Sequence, residues 1–161
     1  MMKYRERKYL MDIRITEITA DNSGIVNTIK DIIPTVETIW QHNGLVCFTA
    51  QNPFDGTNGY VIIPQESSLF NTLQYDFPLF RVHGGITFDH KVENLGRIIG
   101  WDTCHLGDGM KQEFIPIDLR DNLAFQSLFT GKMWTEREVI EDTNQLADQV
   151  VHHIMQENTD L

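Results

Sequence analysis

Four residues near the C-terminus, Thr135-Glu136-Arg137-Glu138, constrain the fold more than any other stretch of the chain. They read as a capping box, in which the Thr hydroxyl accepts from the amide of Glu138 while the Glu138 carboxylate reaches back to the amide of Thr135. Behind the box Val139, Thr143, Leu146, Val150 and Ile154 recur at helical spacing, and Ala147 and Val151 widen the stripe. The pattern predicts a helix from about residue 136 to 156. Its other faces carry Glu141, Asp142, Asp148 and Gln149 and read as solvated. A single apolar stripe on so long a helix needs a covering surface, and that surface must come from the residues upstream.

Upstream, the apolar runs are too short for helices and suit strands. Leu45 to Ala50 (LVCFTA) and Tyr60 to Ile63 (YVII) flank Asn52-Pro53-Phe54-Asp55-Gly56-Thr57-Asn58-Gly59, which is dense in turn formers, so the pair reads as a hairpin with a long tip. Asn43-Gly44 marks a turn before it. A third strand is predicted from Leu79 to Val82, running on past two glycines into Ile86-Thr87-Phe88, and a fourth over Arg97–Trp101, with Asp89–Gly96 as a polar connector. Ser67–Tyr75 reads as a short helix with Leu69, Phe70 and Leu73 on its apolar side. Residues 1–40 read as a helical segment with Ile25, Ile29, Ile32 and Ile33 at helical intervals, interrupted at Pro34. The expectation is one α+β domain, an N-terminal helical segment (1–40) joined to an α+β core (41–161). Its antiparallel or mixed sheet of about four strands is packed by the long C-terminal helix and by N-terminal helices. With 161 residues, 41% of them hydrophobic, the chain can bury such a core without disulfide or metal staples.

Charge narrows the partners. The net charge of −10 repels nucleic-acid phosphates, and no basic patch follows Lys3, Arg5, Arg7 and Lys8, so nucleic acid is an unfavoured partner. Scattered carboxylates suit solubility, or a face that imitates nucleic acid towards a basic protein. No apolar run approaches a membrane span and the basic start does not lead into a signal-like stretch, so the chain reads as cytoplasmic. Cys47 and Cys104 read as buried free thiols, the alternative being a disulfide in an oxidising compartment.

The segment able to carry chemistry runs from His83 to Asp108. His83-Gly84-Gly85-Ile86-Thr87 breaks a strand with paired glycines, as happens at a bulge or where something approaches the backbone closely. Beyond Trp101, the residues Asp102, His105 and Asp108 recur every third position among glycines, so one helical turn would project them to one side. If the two strands are neighbours, His83 joins the trio. Two imidazoles and two carboxylates fit a divalent ion such as Zn²⁺, Mn²⁺ or Fe²⁺, with His83, Asp102, His105 and Asp108 as ligands. They fit as well a metal-free acid/base site with a His oriented by an Asp. They also fit a polar network that ties a sharp loop to the sheet, with Asp102 capping backbone amides and His105 against Trp101. Walker A, dinucleotide-type glycine, paired C-x-x-C, H-E-x-x-H and G-x-S-x-G patterns do not occur.

The order Trp40-x-x-Asn43-Gly44-Leu45, Gly59-Tyr60-Val61-x-x-Pro64, His83-Gly84-Gly85-Ile86-Thr87-Phe88 and Ile99-Gly100-Trp101-Asp102-Thr103-Cys104-His105-x-Gly107-Asp108 resembles a group of small proteins encoded in bacteriophage and prophage genomes. The closing Glu138-x-x-x-Glu141-x-x-x-Gln145-Leu146-Ala147-x-Gln149 is similar to that group as well, so the resemblance spans about residues 40–151. It implies a phage origin, hence the host-cell cytoplasm, and it marks the His83–Asp108 segment; it implies no reaction. The function expected is that of a phage accessory protein with a polar pocket formed by His83, Gly84, Gly85, Thr87, Asp102, His105 and Asp108. That pocket would bind a small ligand, with or without a hydrolytic step. The alternative is an acidic inhibitor that binds a host defence protein and has no catalytic site.

Overall fold

The computed structural model describes residues 14–16, 22–104, 108–109, 117–119, 121–123 and 131–159. Six strands form one mixed sheet: β1 (Arg14–Thr16), β2 (Val36–His42), β3 (Leu45–Gln51), β4 (Thr57–Ile63), β5 (Phe88–Val92) and β6 (Gly96–Trp101), in the order β1-β2-β3-β4-β6-β5. Only the β1–β2 pairing is parallel among them. Helix α1 (Asn22–Ile32) covers one face and helix α2 (Glu136–Thr159) the other, so the fold is an α+β domain with its sheet between two helices.

The alternation along each strand divides the core in two. Trp40, Leu45, Cys47, Val61, Ile63, Ile99 and Trp101 point to α2 and meet Val139, Leu146, Ala147 and Val150. Ile39, Phe48, Ala50, Tyr60, Ile62 and Ile98 point the other way and meet Val26, Ile29 and Ile33. Phe48 stacks on Tyr60 at 4.6 Å between centroids, and Phe88 closes edge-on at 5.5 Å. At Asn43-Gly44 both φ angles are positive and His42 pairs with Leu45, as a two-residue hairpin turn of the primed type requires.

Helix α2 starts as its sequence predicts. The Glu138 amide donates to Thr135 Oγ1, and the Thr135 amide donates to Glu138 Oε1, each at 3.2 Å. Its inner face also makes polar contacts with the sheet. Thr38 Oγ1 donates to Glu136 Oε1 at 2.7 Å, Trp40 Nε1 to Asn144 Oδ1 at 2.7 Å, and Trp101 Nε1 to Thr143 Oγ1 at 3.1 Å. Close approach here depends on Gly59, where an added Cβ would overlap Thr143 Oγ1 and stand 2.6 Å from Trp101 Nε1.

Four stretches differ from the sequence expectation. Arg14–Thr16 and residues 36–40 are strand, not helix, so of the helical reading of residues 1–40 only Asn22–Ile32 is helix among the described residues; nothing of residues 1–13 or 17–21 lies within that set. Leu79–Thr87 is not a strand: Leu79 is 99% exposed, while Phe80, Val82 and Ile86 pack against the α2-side core. The polar connector 89–96 is instead β5 and its turn, polar because Asp89, His90 and Lys91 occupy an exposed sheet edge. In place of a helix over 67–75, two short 3-10 turns span Ser68–Phe70 and Gln74–Asp76; Leu69 is buried and Leu73 exposed.

Cys47 and Cys104 are free, the first buried and the second half-buried. Among the described residues no helix is long and apolar enough to cross a membrane. Replacing Leu146, fully buried on the sheet side of α2, by Ala is expected to cost about 2–5 kcal/mol. A chemical-denaturation midpoint that stays put would show that α2 does not carry the core.

Candidate functional site

The segment that carries His83 is held by side chains in place of a strand ladder. The Gln149 carboxamide on α2 takes both backbone groups of Arg81: the Arg81 amide donates to Gln149 Oε1 at 2.7 Å, and Gln149 Nε2 donates to Arg81 O at 2.8 Å. Phe80 packs edge-on against Phe77 and against His153 of α2. The chain then turns sharply: the Gly85 amide donates to Val82 O at 2.9 Å, with φ of +69° at Gly84 and +79° at Gly85. The paired glycines therefore serve a left-handed turn that an L side chain enters at a cost. Among the described residues nothing lies within 4 Å of a Cβ built on Gly85, so conformation and not crowding by them demands glycine there. The Thr87 amide donates to Gly100 O at 2.9 Å and starts the pairing that β5 continues; Thr87 itself is exposed.

The second half of the site follows β6. Asp102 Oδ1 accepts from the Cys104 amide at 3.1 Å and lies 3.4 Å from its sulfur. Thr103 Oγ1 donates to Thr57 O at 3.0 Å and accepts from Asn52 Nδ2 at 3.3 Å, which fastens this loop to the β3–β4 hairpin. At Asp108 the chain meets His83, whose Nε2 stands 2.8 Å from Asp108 Oδ1. The Gly109 amide donates to Lys132 O at 2.9 Å, joining this corner to the approach of α2.

His83 thus sits at one corner of an aromatic cluster. Its ring centroid is 4.9 Å from Trp134 and 6.2 Å from Trp101, and the two indoles are 5.3 Å apart. Lys132 Nζ lies 4.3 Å from the Trp134 ring centroid and pairs with Glu138, whose carboxyl it holds below the ordinary carboxylate range. Among the described residues the buried Trp134 Nε1 has no hydrogen-bond partner. The side chain of Asp108 is 5% exposed and that of His83 34%, so a buried carboxylate backs a solvent-facing imidazole. An ionised carboxylate can only accept, so with Asp108 ionised the bond requires the proton on Nε2, and a neutral His83 ring would then be the Nε2–H tautomer.

Of the residues singled out in the sequence, His83 and Asp108 touch, and Gly84 and Gly85 shape the turn that presents His83. Asp102 bonds within its own loop, as a carboxylate capping a backbone amide does. It is not remote from the pair, since burial first, and then the charges of Asp102 and Asp108, push the Cys104 thiol up to about 11. His105 lies outside the described residues. Among those residues no group of three or more His, Cys, Asp or Glu side chains is arranged to hold a metal ion. Sequence reasoning missed Trp134 and Lys132. A usable signal existed, because Trp134 immediately precedes the N-cap Thr135, where an apolar residue commonly packs back onto the helix start.

Neither thiol is a poised nucleophile. Burial pushes Cys47 up to about 12, from an ordinary 9.0. A raised thiol pKa means that the unfolded chain ionises first, so this part of the stability is complete below pH 9 and is lost as pH rises towards 12. Folded protein at pH 8 is expected to leave Cys47 unmodified by a thiol reagent until denaturant is added, and rapid native-state labelling would contradict its burial. The tautomer is checked separately: a long-range proton–nitrogen spectrum at alkaline pH should show neutral His83 protonated at Nε2, with that preference weakened in Asp108→Asn. A His83 protonated at Nδ1 would break the assignment of the pair. No family model matches the chain, and no curated protein or solved structure does either, so the site is read from its own geometry.

Proposed function

We propose that this chain binds a small molecule against His83, with Asp108 orienting the imidazole and the partly exposed Trp134 ring offering apolar surface beside it. One observation carries the reading: a carboxylate that is 5% exposed spends a 2.8 Å hydrogen bond on an imidazole that is 34% exposed. A buried carboxylate is costly to desolvate, and bonding it to a half-exposed ring fixes that ring's orientation and tautomer towards solvent. A ring held in this way can take a proton from a ligand and return it, and hydrolytic chemistry at the site would use it as the acid/base group. The accessible part of the Trp134 indole suits a ligand with a planar or apolar part next to its polar group. In line with the resemblance to phage proteins, we place this activity in the cytoplasm of an infected host, as that of an accessory protein.

Native mass spectrometry of protein purified from cells should show a bound metabolite. His83→Ala should lose it, and Asp108→Asn should weaken it, with the double variant no worse than His83→Ala because the two groups act as a unit. A metabolite retained at full occupancy by His83→Ala would overturn the site. Binding of a host protein at equal strength by wild type and His83→Ala, with no small molecule on either, would favour the acidic inhibitor instead.

A further inference from the structure

Strand β5 ends the sheet, and among the described residues no strand pairs with its outer side. Its main chain faces solvent: Asp89 is an exposed residue although its side chain is only 24% exposed, so the backbone supplies the accessible surface. An open edge of this kind is a template for another strand, and proteins usually blunt it with charge. Here the charges are placed so that one particular strand neutralises them. The sequence Phe88-Asp89-His90-Lys91-Val92 is complementary to its own reverse.

In an antiparallel pair of identical edges related by a two-fold axis normal to the sheet, facing residues must project to the same face, so the axis passes through a residue. With the axis on His90, Asp89 faces Lys91 of the second copy, Lys91 faces its Asp89, and Phe88 faces Val92 at both ends. With the axis on Asp89, that carboxylate faces its own copy. With the axis on Lys91, the ammonium groups face each other and Asp89 faces Glu93. Of these three registers only the first sets opposite charges against each other; an axis on Val92 would face Lys91 with Glu93, which lies beyond the end of the strand. Asp89 is oriented by Arg97, which bonds it through Nε at 2.7 Å and Nη2 at 2.6 Å. Lys91 Nζ, 5.9 Å from the Phe70 ring centroid, has the reach to turn towards the edge.

We propose that β5 is a self-association edge and that two copies of this chain pair through it, antiparallel about His90, to make one continuous sheet with both α2 helices on the same side. The contact is short, about 17 Å for five residues, so the dimer is weak and depends on concentration.

Sedimentation velocity on the full chain, from micromolar to millimolar, should show a monomer–dimer equilibrium. Lys91→Glu should weaken it at least about tenfold, because symmetry makes each substitution count twice and turns both attractive pairs repulsive. An unchanged thermal melt would show that Lys91→Glu remains folded. Independently, His90→Cys should form a disulfide-linked dimer on mild oxidation, since facing strand residues lie about 4.5–5.5 Å apart, within disulfide reach, while Glu93→Cys should not. A monomer at every concentration, a dimer insensitive to Lys91→Glu, or equal cross-linking at positions 90 and 93 would each overturn the proposal.

Discussion

A buried guanidinium organises one end of this molecule. Arg97 in β6 is nearly inaccessible and points to the α2 side of the sheet, where a cation without partners would be untenable. Every direction of its fork is used. Nε and Nη2 take the two oxygens of Asp89, Nη1 donates to Leu69 O at 2.7 Å and to Thr72 O at 2.6 Å, and the ring of Phe77 lies 4.1 Å from its carbon. The edge strand, the 3-10 turns after β4 and the start of the His83 segment therefore all meet at one charge. Lys could not replace it, because a point ammonium cannot bridge a carboxylate and two carbonyls in one plane. Truncating it would leave Asp89 and two carbonyls short of a donor, and breaking buried pairs of this kind costs about 3–5 kcal/mol.

What the sequence disclosed follows from how local each signal is. The α2 helix was legible from end to end because its cap and its stripe are both written within the helix. The Asn43-Gly44 turn and the two central strands were legible for the same reason. Strand β2 was not, because α1 and α2 bury both of its sides: Val36, Ile39 and Trp40 are all buried, so alternation of apolar with polar residues is lost. Leu79–Val82 failed in the opposite way. It has the apolar spacing of a strand, but its partner is a glutamine side chain on a helix 68 positions away, which no local pattern announces.

The site shows the same division. Paired glycines pointed correctly to an unusual backbone, and both φ angles are positive. The interval of three between Asp102, His105 and Asp108 suggested equivalence, whereas Asp102 satisfies its own loop and Asp108 reaches across to His83. Spacing reports periodicity only when the backbone is periodic, and the segment after Trp101 is tied instead to the β3–β4 hairpin through Thr103. Trp134, the closest ring to His83 among the contacts described, comes from a third region of the chain, and its part in the cluster depends on where α2 begins.

The Gln149–Arg81 clasp has a mechanical consequence. It refers the position of His83 to α2 and not to the sheet, and the bond from the Gly109 amide to Lys132 O refers Asp108 to the residues that lead into the same helix. Both members of the dyad thus share one frame. A small slide of α2 over the sheet, the commonest soft displacement of a packed helix, would carry donor and acceptor together as a common-mode shift, leaving their separation nearly unchanged. What such a slide would load is the Trp101 indole, which is carried by β6 yet donates through Nε1 to Thr143 of α2 and so bridges the two frames.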